Sequence, residues 1–209
     1  MRYLFNNLPL VAQLFGEHLR MTAIALAIAL AIALPLGVLA ARVRWLRGPL
    51  LGVLGVIYTI PSLSLLVLLI PFIGIGLLPA IVALVAYAQL VLVRNIVVGL
   101  TGVDPAIVEA ARGMGMNGWQ RFGRVELPLA LPLILAGVRL ATLSIIGIGA
   151  VAFLVGAGGL GKLLFEGVTT SNPQKIIAGS IAVAGLAVLA NALLWLLERR
   201  AAFAARGEE

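Results

Sequence analysis

The sequence predicts an all-α integral membrane protein that crosses the bilayer as five transmembrane helices. Its 209 residues are 62% hydrophobic and only 11% charged, with a mean hydropathy of +1.15. Soluble domains have about 45–50% apolar and about 25% charged residues. Long charge-free segments alternate with short basic connections, which is typical of a multi-pass membrane protein. We therefore interpret residues 1–209 as one transmembrane domain.

The charge-free segments are long enough to cross the membrane, because a helix needs about 20 residues to span about 30 Å of hydrocarbon. The 46 residues from Gly48 to Val93 carry no charge and hold two spans. Residues 71–79, PFIGIGLLP, supply the turn between them. Pro61 lies within the first of these two and predicts a kink there. The five predicted spans are residues 21–41, 49–70, 78–98, 133–155 and 176–197.

Both ends of the chain are less apolar than the spans. Residues 1–20 mix apolar and polar side chains, which predicts an amphipathic segment at the membrane surface, with disorder as the alternative. We expect His18, the single histidine, to be a solvated residue beside Glu17, with no functional role. The tail to residue 209 is predicted to be short and frayed.

The distribution of Lys and Arg predicts the orientation. With the N-terminus outside and the C-terminus cytoplasmic, ten basic residues lie inside, four lie outside and Arg139 lies within a span. The ten are Arg42, Arg44, Arg47, Arg94, Arg112, Arg121, Arg124, Arg199, Arg200 and Arg206, and the four are Arg2, Arg20, Lys162 and Lys175. Cytoplasmic loops carry an excess of basic residues. This topology explains the net charge of +7 without nucleic-acid binding.

The longest polar segment is the 104–128 loop, DPAIVEAARGMGMNGWQRFGRVELP, which holds three of the eight acidic residues. Asp104 is a good helix N-cap and Pro105 a good first helical residue, so a short helix is predicted to run to about Arg112. Large apolar side chains follow at Met114, Met116 and Trp119. Exposed apolar clusters mark contact sites, so we predict a docking surface. The alternative is a helix lying flat on the bilayer.

The spacing within this loop resembles the signature of permease subunits of bacterial ABC importers. The matching residues are Glu109-Ala110-Ala111, Gly115, Val125 and Leu127-Pro128, with Val125 where the family usually has Ile. The resemblance implies a type I ABC importer permease fold in the bacterial inner membrane. It also implies that the loop is a coupling helix that docks on a separate ATPase subunit. The implied docking residues are Glu109, Ala110, Ala111, Met114, Gly115, Met116 and Trp119.

Further segments look like the osmoprotectant branch of that family, whose permeases serve glycine betaine, choline, carnitine or proline betaine. They are IPSLSLL at 60–66, PFIGIG at 71–76, VDPAIVEAARGMG at 103–115 and GAGGLG at 156–161. Two alternatives remain open. One is a permease of this architecture for another solute, such as methionine or phosphonate. The other is an ATP-independent membrane channel or scaffold.

The resemblance implies an assembly of several subunits embedded in membrane lipid. It includes two ATP-binding subunits, a second permease (a second copy or a homologue) and an extracytoplasmic solute-binding protein. The chain itself is not predicted to be an enzyme, and neither a cofactor nor a metal is expected. Residues 156–162, GAGGLGK, resemble a phosphate-binding loop, but Leu163 stands where Ser or Thr would hold Mg²⁺. We interpret these glycines as a tight turn.

Polar residues at span depth are candidates for the solute passage. Tyr58, Ser62 and Ser64 surround Pro61, and Gln89 lies in the next span. Polar groups at this depth commonly face protein or a water-filled path. Ordinary hydrogen bonds between helices are the alternative. The sequence leaves two alternatives for Arg139, which either extends to the cytoplasmic interface or pairs within the bundle.

Overall fold

A computed structural model describes residue 3 and residues 6–206, with side chains described as far as residue 203. Within these residues the regular elements are all helical, as predicted. They are α1 (Leu8–Arg42), α2 (Arg44–Thr59), α3 (Ser62–Ile73), α4 (Leu77–Thr101), α5 (Pro105–Gly113), α6 (Gly118–Arg121), α7 (Leu127–Val151), α8 (Gly161–Thr169) and α9 (Pro173–Arg206). A π-helical stretch, Phe122–Glu126, joins α6 to α7, and a 3₁₀ turn, Ala152–Val155, follows α7. Arg2 and residues 207–209 lie outside the described residues.

Four helical segments are long and apolar enough to cross a membrane, and the bent pair α2–α3 makes a fifth if it is one span. The core is formed by α4 and α7, with α1 packed against both. The last helix, α9, packs on α7 and α8 and leaves most of its surface outside the core. The orientation derived from the basic residues remains a prediction.

The first helix differs from its predicted boundaries because it begins at Leu8 rather than near residue 21. Its buried residues continue without a break along one face, from Leu14 and His18 to Ala25, Ala29 and Ala33. This spacing follows the helical period of 3.6 residues, so described residues 8–20 extend the span helix. The alternative of disorder is therefore wrong for residues 8–20, whereas their place at the membrane surface stays a prediction.

The predicted span at 49–70 is not one kinked helix but two helices that meet at 93°. The break lies at Ile60 and Pro61, where the chain is extended rather than helical. Proline disfavours the helical conformation of the preceding residue and has no N–H to donate, so the helix ends before it. The turn at 71–79 is observed, and Gly74 and Gly76 adopt positive φ angles of 80° and 125°.

The helix that contains the predicted span at 133–155 begins before that span, because Gly118–Val155 forms a continuous helical segment of 38 residues. The helical backbone therefore passes through Leu127 and Pro128 without a break. Pro128 lies at the start of α7, directly after the π-helical stretch. That stretch displaces the preceding carbonyls with which a proline ring would clash in a regular helix. The loop and the following span therefore share one continuous helical segment.

Arg139 pairs within the bundle, which decides between its two predicted environments. Its Nε lies 2.9 Å from Oε2 of Glu198, and its Nη1 donates to Oδ1 of Asn191 at 3.3 Å. Both partners lie on α9. A charge in a membrane span is costly unless it is paired, so this ion pair joins the two helices α7 and α9.

Candidate functional site

The 104–128 loop begins with the predicted capped helix. Oδ1 of Asp104 accepts a hydrogen bond of 2.8 Å from the N–H of Ala106, and Pro105 is the first residue of α5. The helix ends at Gly113, and Gly115 follows with a φ of +80°. Residues with a side chain rarely adopt this left-handed conformation, so glycine is needed for the reversal.

A second cap starts α6 immediately after this reversal. The Asn117 side chain accepts from the N–H of Gln120 at 2.9 Å, and the Gln120 side chain accepts from the N–H of Asn117 at 3.0 Å. This reciprocal pair is a capping box, which satisfies two N–H groups that a helix start otherwise leaves free. Both short helices of the loop are therefore held by their own side chains.

The predicted docking residues divide into an outward set and a supporting set. Glu109 is exposed and its Oε1 accepts from Nη1 of Arg112 at 3.0 Å. Ala110 is also exposed, whereas Ala111 is only 1% exposed and faces its own chain. The half-buried Met116 donates its N–H to the carbonyl of Ala111 at 3.2 Å. Ala111 and Met116 thus stabilise the turn on the side that faces the rest of the chain.

Two large apolar side chains project from the loop. Met114 is 70% exposed and Trp119 is 86% exposed. Exposing a large apolar side chain to water is unfavourable unless a partner covers it. Aromatic residues and methionine are enriched where proteins contact each other. The geometry therefore combines a preformed backbone with an unpartnered apolar surface, which suits binding to another protein.

The candidate passage residues do not form one cluster. Tyr58 and Ser64 are exposed and Ser62 is half-buried, all around the break between α2 and α3. Gln89 is buried on α4, where Nε2 donates to the carbonyls of Ala29 at 3.2 Å and Val85 at 3.3 Å. Gln89 therefore contacts α1 rather than the helix break.

Tyr87 contacts the helix break instead, although it is not among the predicted passage residues. Its hydroxyl donates to the carbonyl of Ile60, and its ring meets Tyr58 edge-on with centroids 5.8 Å apart. The carbonyl of Ile60 is at the point where α2 stops, so the tyrosine satisfies an acceptor that the broken helix leaves free. In the sequence, the feature that could have indicated this contact is that Tyr87 is the one aromatic residue with a hydroxyl group in its apolar span.

The glycine-rich turn at 156–162 lies against α1. Gly156, Gly158 and Gly159 have φ angles of 84°, 78° and 79°. The N–H of Gly159 donates to Oε2 of Glu17 at 3.1 Å. A phosphate-binding loop offers such N–H groups to its ligand, whereas this one is already bonded to a carboxylate. The interpretation of these residues as a turn agrees with this geometry.

His18 is buried, so the prediction of a solvated histidine is wrong. Its exposed fraction is 0%, and Nε2 donates to the carbonyl of Ile146 at 3.1 Å. A methyl group added to Gly149 would lie 3.3 Å from Nε2, and one added to Gly159 would lie 3.0 Å from Nδ1. Gly149 and Gly159 therefore leave the space that the imidazole ring occupies. The sequence around residue 18 gives no indication of this burial, because both glycines are distant in the chain.

Comparison with known proteins gives the context of this architecture. Residues 33–203 match the family model described as "Binding-protein-dependent transport system inner membrane component". The chain is 42% identical over 202 residues to the osmoprotectant import permease protein OsmW of Salmonella typhimurium, covering 94% of this chain and 93% of the relative. It is 40% identical over 185 residues to the glycine betaine/carnitine/choline transport system permease protein OpuCB of Bacillus subtilis, covering 88% and 85%.

A solved structure shares the fold. The chain superimposes on a chain of the MetNI methionine ABC transporter in an inward facing conformation with a TM-score of 0.85 and 27% identity. The likeness covers 93% of this chain and 97% of the other. The predicted type I importer permease fold is thereby confirmed.

Proposed function

Because the chain belongs to the family of binding-protein-dependent transport system inner membrane components, we propose that it is the transmembrane subunit of an ATP-driven importer of a quaternary-amine osmoprotectant. The substrate class rests on the two relatives above, which are named for osmoprotectant import and for glycine betaine, carnitine and choline transport. The observation that carries the coupling role is the 104–128 loop, with its double cap and its exposed Met114 and Trp119.

In this proposal a separate ATPase subunit docks on the loop. Glu109, Ala110, Met114, Gly115 and Trp119 form the contact surface, while Ala111 and Met116 support it from inside. ATP-driven closure of two such ATPase subunits moves the two loops of a permease pair as rigid bodies. The continuous helical segment from Gly118 to Val155 carries that motion into the membrane. The chain itself hydrolyses nothing.

The second permease is a further copy of this chain or a homologue, and a solute-binding protein delivers the substrate from the outer side. Quaternary ammonium groups are bound by aromatic cages through cation–π attraction. Around the helix break, the exposed Tyr58 offers one aromatic ring, which the buried Tyr87 supports edge-on, and Ser64 is exposed as well, which suits weak contact during passage. Gln89 supports the passage wall from the α1 side. Affinity would then reside mainly in the binding protein.

The test begins with copurification of a tagged chain, which should retain an ATPase subunit and identify the binding protein. The purified complex is then reconstituted in liposomes with ATP inside and tested for uptake of labelled glycine betaine, choline and carnitine. Methionine and a phosphonate serve as the competing solutes. Uptake of a quaternary amine that depends on ATP is expected. Preferred uptake of methionine would replace the substrate class, and uptake independent of ATP would favour a channel.

Two substitutions probe the docking surface directly. Gly115→Glu and Glu109→Lys should abolish ATPase copurification or ATP-driven uptake while the protein still inserts into the membrane. Gln174→Glu is the matched control, since it adds one negative charge at an exposed position of α9. Normal uptake in both loop variants would refute docking at this surface.

A further inference from the structure

A buried carboxylate lies at the junction between the 104–128 loop and the membrane span. Glu126 is the last residue of the π-helical stretch and is only 5% exposed. Its Oε2 lies 2.5 Å from Nη2 of Arg42, and its Oε1 accepts from Nη1 of Arg42 at 3.4 Å. Oε1 also accepts from Nε of Arg121 at 3.0 Å. One carboxylate therefore binds two guanidinium groups.

The two arginines reach Glu126 from different parts of the chain. Arg42 is the last residue of α1 and precedes Glu126 by 84 positions, whereas Arg121 precedes it by only 5. The Arg42 guanidinium also lies 5.5 Å from the centroid of the Phe122 ring. A π-helical turn changes the direction in which side chains leave a helix, and such turns often mark functional positions. Here the π-helical stretch holds Phe122 and Glu126, the two residues that contact Arg42 of α1.

Apolar side chains do not fill the space between the end of α1 and the 104–128 loop. A groove of about 370 Å³ separates the end of α1 from the loop and is lined by Val38, Arg42, Gly118, Trp119, Arg121 and Phe122. An adjoining apolar groove of about 330 Å³ shares Val38 and Phe122 with it. Tight side-chain packing transmits displacement, whereas empty space does not. The ionic contacts of Glu126 therefore connect the loop to α1 where apolar side chains pack incompletely.

We propose that Glu126 is a positioning residue that makes the 104–128 loop and α1 move as one body during transport. The Glu126 carboxylate is buried while the Arg42 side chain is 44% exposed, and such partly buried ion pairs contribute little net stability but can specify geometry. The bidentate contact of Arg42 fixes both the distance and the orientation of the two elements. The inference rests on the proposed function, since it assigns a role in passing on the motion that the docked ATPase supplies.

The experiment measures solute molecules imported per ATP hydrolysed by the complete complex in liposomes. Glu126→Gln keeps the shape of the side chain and removes its charge, and Arg42→Gln removes the facing charge. Each should lower the ratio by about 2- to 30-fold, the range that a change in coupling between sites produces. The double variant should be no worse than the more affected single variant, because both changes remove the same link. Arg42→Lys keeps the charge without the bidentate contact and should be intermediate.

Glu166→Gln is the matched control, because it removes a carboxylate paired with Lys162 and Lys175 outside the loop. Its ratio should equal that of the unchanged complex. A ratio preserved in Glu126→Gln, or an additive double variant, would overturn the inference even where the variants are less thermostable. ATPase copurification separates the two proposals, since it should persist in every Glu126 variant. Its absence in the unchanged protein would instead refute docking itself.

Discussion

Glu17 on α1 accepts a hydrogen bond from the N–H of Gly159, 142 residues later in the chain. The neighbouring His18 lies against the same glycine, so the turn at 156–162 packs against two consecutive polar side chains of α1. The end of α1 remote from Arg42 is therefore fixed as well. Because Arg42 contacts Glu126 and Glu17 contacts Gly159, α1 is joined by polar contacts to the chain on both sides of α7.

Replacing Gly159 by alanine should lower stability. The residue has a φ of +79°, and a Cβ there would lie 3.0 Å from Nδ1 of His18. The left-handed backbone alone costs about 1–2 kcal/mol for a residue with a side chain. The measurement is thermal unfolding of the purified protein in detergent. Gly185→Ala, whose Cβ would meet nothing within 4 Å, is the control and should not lower the midpoint. Equal midpoints for the two variants would contradict the packing of this turn on His18.

Two glycines of α7 should respond differently to the same substitution. A Cβ at Gly137 would lie 2.5 Å from Cβ of Asn95 on α4, whereas one at Gly147 would meet nothing within 4 Å. Gly137→Ala must separate α4 from α7 and should cost about 1–3 kcal/mol, as overpacking does. Gly147→Ala should be neutral or stabilising by up to about 1 kcal/mol, because glycine is a poor helix former. Thermal unfolding in detergent compares them, and a larger loss at Gly147 would be inconsistent with the structure.

Gly115 and Gly113 form a matched pair within the 104–128 loop. Gly115 needs its positive φ of 80°, whereas Gly113 ends α5 without one, and a Cβ added at either residue would meet nothing within 4 Å. Gly115→Ala should therefore distort the reversal and reduce ATP-driven uptake several-fold, because the strained backbone costs about 1–2 kcal/mol. Gly113→Ala should retain uptake. The assay is uptake by the reconstituted complex, with ATPase copurification measured alongside. Equal uptake by the two variants would show that the conformation of Gly115 is unimportant.

The ion pair between Arg139 and Glu198 should behave as a coupled unit. Among the described residues, Glu198→Gln leaves a charged Arg139 within the span with the Asn191 side chain as its remaining polar contact. Removing one partner of a partly buried pair is more destabilising than removing both. A double-mutant cycle with Arg139→Gln should therefore give an interaction energy of about 0.5–3 kcal/mol in thermal unfolding. Strictly additive effects would mean that the pair contributes nothing.

The sequence by itself determined the local features of this protein. Apolar runs predicted the membrane-spanning helices, Asp104 predicted the start of α5, and the spacing from Glu109 to Pro128 identified the family. Each depends on residues close together in the chain, where helical period and capping act. Pro61 likewise marked a bend, although only the structure made it a break of 93°.

Only the tertiary structure decided which distant residues meet. It buried His18 between two glycines, turned Ala111 toward its own chain and placed Arg42 against Glu126. These outcomes depend on which helix faces pack together, and small differences in packing energy among many apolar surfaces decide that. In a chain that is 62% hydrophobic, nearly every helix face is apolar, so the pattern of apolar residues alone does not select its partner.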